Sequence, residues 1–118
     1  MTLVDYFKSA KEFVEYSAGQ TIFEEGKTGD LMFAVKEGLV EIIHDGHVLE
    51  TVEAGHFFGE MALVDSMPRS AGAVAKTDCK IVAVDKKRFL FLVQETPTFA
   101  LQVMHTMAER LRKMNQLL

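Results

Sequence analysis

A chain of 118 residues can bury one hydrophobic core but not two, so a single domain over 1–118 is expected. Its net charge of −4, from 13 basic and 17 acidic residues, argues mildly against a nucleic-acid partner; Arg110, Arg112 and Lys113 form a short basic run near the C-terminus. The lone Cys79 has no internal disulfide partner, and no apolar run approaches the roughly 20 residues of a bilayer span. With no signal-peptide pattern around Asp5, the expectation is a soluble cytoplasmic protein without a membrane partner.

Leu3, Val4, Phe7 and Ala10 recur at near-helical spacing and predict a short amphipathic helix over 2–10. Residues 12–85 then carry short β-rich runs between breaks. Phe13, Val14 and Tyr16 lead to the Ala18-Gly19 turn, and Thr21-Ile22-Phe23 is stopped by Glu24-Glu25-Gly26. After Gly29-Asp30 come strand-like runs from Leu31 to Lys36 and, past Glu37-Gly38, from Leu39 to His44. Asp45-Gly46 separates that last run from His47–Val52, a strong signal for a two-residue hairpin turn. Ala54-Gly55 ends the second strand of this hairpin. Two further strands are predicted from Ala71 to Lys76 and from Lys80 to Asp85, parted at Thr77-Asp78. Short strands with regular turns and no long helix among them indicate a β-sandwich or jelly roll.

The character changes over 86–118. Phe89, Leu90, Leu92 and Val93 give Lys86 to Glu95 a helical period, and Thr96-Pro97 suits the cap and first turn of a second helix. Beyond it Ala100, Met104, Met107, Leu111, Met114 and Leu118 recur at intervals of 4, 3, 4, 3 and 4, a heptad seam. Such a seam either covers the roll or pairs with a second copy to make a homodimer.

The chemistry concentrates at 58–71, FGEMALVDSMPRSA. Phe58 leads into Gly59-Glu60, after which Met61 to Asp65 can form one or two helical turns. Gly59 has no Cβ and lets a ligand approach the backbone. The first N–H groups of a helix have no partner within it and favour an anion. Nine residues after Glu60 stands Arg69, whose fixed charged fork suits a phosphate. Glu60 would repel a phosphate but would accept from a neutral hydroxyl such as a sugar's. Phosphate and sugar hydroxyl together indicate a nucleotide.

This stretch resembles the phosphate-binding cassette of cyclic nucleotide-binding domains: F-G-E-(L/M)-A-L, a short variable segment, then P-R-(T/S/A)-A. The resemblance extends less sharply along the chain. It implies a mainly β fold with flanking α: a β-roll or jelly roll (double-stranded β-helix) with an N-terminal helix, a short cassette helix and two C-terminal helices. It implies that Gly59, Glu60, Met61 and Ala62 form the first turn of the cassette helix, whose N–H groups hold a cyclic phosphate together with Arg69. Glu60 would accept from the ribose 2′-hydroxyl, and Ser70 would donate to the phosphate or the base edge. Val40, Met61 and Ala71 would be apolar pocket walls. By the run Met107-Ala108-Glu109-Arg110-Leu111, Arg110 and Asn115 would reach the base from the last helix. In this family a serine after the arginine can contact a syn guanine, but Ser70 matches the catabolite-activator-like members, which use adenine. The resemblance therefore implies cyclic AMP in preference to cyclic GMP as the ligand, with no further cofactor.

Competing readings attach to several of these residues. Arg69 could pair with Asp65 on the surface. His44, His47 and His56, with Glu50 or Glu53, could be read as a metal cluster, although His44 and His47 flank a hairpin turn and no H-x-H pair occurs. Cys79 reads as a small buried strand residue. No nucleophile–base pair stands out, so the expectation is a binding domain and not an enzyme. A ligand-silent interaction or dimerisation module with the same fold is the alternative.

Overall fold

The β-rich runs pair into two four-stranded antiparallel sheets in a computed structural model of the chain, which describes residues 3–116. In chain order the elements are α1 (Leu3–Lys8), β1 (Val14–Tyr16), β2 (Thr21–Phe23), β3 (Met32–Glu37), β4 (Val40–His44) and β5 (His47–Val52). Then come β6 (Phe57–Phe58), α2 (Met61–Val64), β7 (Gly72–Ala75), β8 (Cys79–Val84), α3 (Lys86–Glu95) and α4 (Thr98–Gln116). One sheet has the order β1-β8-β3-β6, the other β2-β7-β4-β5. This is the expected β-roll with flanking helices. The chain divides into two compact units between Lys86 and Lys87, the roll with α1 and α2 on one side and the helices α3 and α4 on the other.

Strand pairing in the roll is largely non-local. Val14 faces Ile81 and Thr21 faces Val74, so the first two strands are held by the last two. The β4–β5 hairpin is the local exception. Its turn puts Asp45 at φ 50 and Gly46 at φ 77, the left-handed conformation that a two-residue hairpin loop requires. Between the sheets, Phe33, Val35, Val40, Val52, Phe58 and Ile81 form a continuous buried cluster with Ala73, Ala75 and Cys79. The opposite side chains of the first sheet, Met32, Ala34, Val82 and Val84, are buried as well, as is Phe7 of α1, which packs on β3. Burial on both faces explains why β3 reads as an unbroken apolar run, MFAV, instead of alternating.

Several boundaries differ from expectation. The N-terminal helix ends at Lys8, where the Ser9 hydroxyl donates to the Asp5 carbonyl at 2.7 Å; Thr2 lies outside the described residues. The last two strands run Gly72–Ala75 and Cys79–Val84. Cys79 belongs to β8 because it pairs with Tyr16 and its thiol donates to the Leu39 carbonyl at 3.1 Å. The two-residue strand β6 was not expected; it exists because Phe57 and Phe58 pair with Ala34 and Phe33.

In the helical unit α3 has the expected bounds. Thr96 closes it by donating its N–H to Leu92, and the Thr96 carbonyl accepts from Phe99 to open α4, which puts Pro97 just before the helix. Phe89 and Phe99 bring the two helices into ring contact, centroids 5.3 Å apart. Leu92, Phe99 and Val103 are buried. The heptad seam is only partly covered: Ala100 and Met107 are half-buried, whereas Met104, Leu111 and Met114 are exposed and Leu118 lies outside the described residues. Leu101, 65% exposed, joins Met104 and Leu111 in an apolar stripe. No helix among the described residues is long and apolar enough to cross a membrane.

Candidate functional site

The site is assembled by two connections of β-roll strands, the β2–β3 loop and the turn after β6. Gly59 ends β6 at φ +74, a conformation that a residue with a Cβ adopts only under strain. From it a single turn of helix forms: Ala62 N–H reaches the Gly59 carbonyl at 3.3 Å and Leu63 N–H the Glu60 carbonyl at 3.1 Å. The helix therefore begins at Met61 instead of Gly59, and the Ala62 N–H is already engaged. Glu60 stands at its N-cap and is buried, only 3% exposed. After Pro68 the chain returns along the β2–β3 loop, where Arg69 N–H donates to Lys27 and its carbonyl accepts from Gly26, both at 2.8 Å.

These backbone bonds aim the Arg69 side chain into the roll. Its Nη1 donates to the Gly59 carbonyl at 3.0 Å and its Nη2 to the Leu31 carbonyl at 2.8 Å. The guanidinium stacks on Phe23, with Cζ 4.0 Å from the ring centroid, and lies 5.8 Å from Phe33. Phe23, Phe33 and Phe58 form one aromatic cluster with centroids 5.6 to 5.9 Å apart, and this floor fixes the plane of the fork. Two glycines make room for it. A Cβ on Gly29 would meet Nη2 at 2.7 Å, and one on Gly59 would meet Nη1 at 2.8 Å.

Electrostatically the arginine is held in tension. Burial pushes its guanidinium below its ordinary value, while the carboxylates of Asp30 and Glu60 act in the opposite direction. It remains a cation at any physiological pH. Among the described residues its Nε is a buried donor without an acceptor. Nη1 and Nη2 thus each donate to a backbone carbonyl, and Nε is left without an acceptor.

Of the residues expected at the site, Phe58, Gly59, Glu60 and Arg69 come together in this way. Met61 and Ser70 are exposed, and Ala62 and Ala71 are half-buried. Val40 sits in the core, fully buried and paired with Val52 and Ala75. Arg110, half-buried, and Asn115, exposed, belong to α4 in the other unit. The alternative pairing of Arg69 with Asp65 does not occur: Asp65 Oδ1 accepts from the Met67 N–H at 3.1 Å. Among the described residues no group of three or more His, Cys, Asp or Glu is placed to hold a metal ion, and His44 and His47 are exposed at the hairpin tip. Sequence reasoning missed Phe23, Gly29, Asp30 and Leu31. Gly29-Asp30 reads locally as a break, and nothing in it signals that Arg69, forty residues on, packs against it.

Residues 13–96 match the family model for the cyclic nucleotide-binding domain. The chain belongs to that family. Relatives of this cyclic nucleotide-binding domain are diverse. It is 40% identical over 83 residues to a cAMP-dependent protein kinase regulatory subunit of Aspergillus fumigatus, covering 68% of this chain and 20% of the subunit. Its fold superposes on the Thermus thermophilus catabolite activator protein with a TM-score of 0.79 at 32% identity, covering 97% of this chain and 56% of that one. A protein from a cyclic-GMP-dependent signalling pathway that regulates bacterial phytopathogenesis matches with a TM-score of 0.75 at 29% identity, 94% of each chain being covered. The domain thus spans a fifth of the kinase subunit and little more than half of the activator.

Proposed function

We propose that the chain is a non-enzymatic cyclic nucleotide sensor of the cytoplasm, with 1–118 acting as one binding domain, and that it prefers cyclic AMP to cyclic GMP. The observation that carries the reading is the Arg69 guanidinium: half-buried, stacked on Phe23, flanked by two glycines, and left with a buried Nε donor lacking an acceptor. A cyclic phosphate supplies the missing acceptor and compensates the desolvation of the cation. Gly59, Met61 and Ala62 line the approach, and buried Glu60 accepts from the ribose 2′-hydroxyl. Ser70 donates to the phosphate or the base beside the half-buried Ala71, while Phe58 and Val40 support the site from the core. The part of Arg110 and Asn115 in reading the base rests on the family resemblance alone, as does the preference for adenine.

Ligand binding would bias the position of the C-terminal helices, because a ligand shifts only an equilibrium between states that it binds differently. The exposed stripe Leu101, Met104, Leu111 supports a second reading, a homodimer or interaction module working through α4. That reading stands without a ligand, whereas the first requires one. Neither needs a nucleic acid or a membrane.

Calorimetric titration with cyclic AMP and cyclic GMP, on wild type and Arg69→Ala, separates them. The expected result is micromolar or tighter binding of cyclic AMP, about −8 kcal/mol, severely weakened in the variant. No heat with either nucleotide, from folded protein free of co-purified ligand, leaves the interaction module. Tighter binding of cyclic GMP reverses the base preference and keeps the sensor.

A further inference from the structure

Three segments meet behind Arg69. The β2–β3 loop brackets its backbone through Gly26 and Lys27, as described above. One residue further on, the Ser70 carbonyl lies 3.1 Å from His44 Nδ1, at the end of β4. The same nitrogen is 3.3 Å from Glu25 Oε2, and Glu25 Oε1 accepts from the Asp45 N–H at 3.1 Å. A carbonyl and a carboxylate only accept, so Nδ1 is the ring nitrogen that carries the proton. Glu25 thereby ties the β2–β3 loop to the hairpin tip, and His44 ties the hairpin tip to the end of the cassette.

We infer that His44 is a positioning residue for the nucleotide site, a statement that rests on reading the cassette as that site. Ser70 and Ala71 join Arg69 to β7, which begins only at Gly72, so the Ser70 peptide lies outside the strand. His44 fixes the direction of its carbonyl, and with it the direction in which the Ser70 side chain and the neighbouring arginine meet a ligand. Without the imidazole, water replaces the donor and the peptide can turn. His44 and Glu25 are both about half-exposed, so water weakens their contact, and the directional hydrogen bond to Ser70 is the part that counts.

The test uses the full chain with His44→Ala, His44→Asn and His44→Gln, titrated calorimetrically with cyclic AMP. In parallel, amide exchange at residues 69–71 is followed without nucleotide. Asparagine carries an N–H donor at the same number of bonds from the backbone as Nδ1, and glutamine carries it one bond further out. His44→Ala is expected to weaken binding about threefold to tenfold, the span of one ordinary hydrogen bond, and to speed exchange at 69–71. His44→Asn is expected to restore both to about the wild-type level, and His44→Gln to restore neither. Wild-type affinity and exchange in His44→Ala would overturn the inference. So would a His44→Asn variant as weak as His44→Ala at equal melting temperature. Wild-type protein that binds neither cyclic nucleotide overturns the site reading instead, while the exchange data still decide whether His44 clasps the cassette.

Discussion

The roll and the helical unit are built on opposite principles. In the roll every strand except β5, which pairs only with its hairpin neighbour β4, depends on a partner distant in sequence, and the buried cluster between the sheets draws on most strands at once. In the helical unit the hydrogen bonds are local, and the apolar surface is unevenly placed. Leu92, Phe99 and Val103 are buried, while Leu90, Phe91, Leu101, Met104 and Leu111 stand 55–65% exposed. A closed roll can hold Arg69 to within a rotamer, because the loops that carry it are anchored at both ends by sheet. Two helices with an open apolar stripe lack that double anchoring, and the proposed response to ligand is assigned to them.

Five substitutions and one exchange experiment break or sharpen this contrast. Phe58→Ala has the largest expected effect: it empties a fully buried ring from the aromatic floor and costs about 3–5 kcal/mol of stability by denaturant unfolding. A small loss there would mean that the roll is less tightly packed than its buried cluster indicates. Arg69→Ala comes next for binding. Loss of charge-assisted bonds worth about 1.5–3 kcal/mol each should reduce cyclic nucleotide affinity at least a hundredfold in calorimetry.

The two glycines beside the guanidinium separate strain from obstruction. Gly59→Ala strains a positive φ by about 1–2 kcal/mol and also pushes on Nη1, so both melting temperature and affinity should fall. Gly29→Ala crowds Nη2 without a positive φ, so affinity should fall by more than stability does. Equal losses of stability in the two variants would remove that distinction. Leu111→Glu has the smallest expected effect on folding, within about 0.5 kcal/mol, because the side chain is exposed. In sedimentation it should abolish any self-association through α4. A second readout of the helices is hydrogen exchange over 86–118, where saturating cyclic AMP should change protection; an unchanged pattern would detach the helices from ligand binding.

The sequence by itself determined the elements whose signals are local. Asp45-Gly46 announced its hairpin because only certain residues accept two positive φ values in succession. The helical period marked α3 to the residue, and residue type and spacing singled out Phe58, Gly59, Glu60 and Arg69, which the fold brings together. Tertiary structure alone decided the rest. The pairing of β6 with β3 leaves no trace in a two-residue segment. The selection of Phe23 as the platform for Arg69, of Gly29 as its clearance and of the Leu31 carbonyl as its acceptor depends on loops brought together by strands remote in the chain. Which apolar residues of α4 are left exposed was equally hidden, since a heptad pattern states that a face is apolar and leaves open what covers it. Local chemistry is written in neighbours; the partners of a half-buried charge are chosen by the fold.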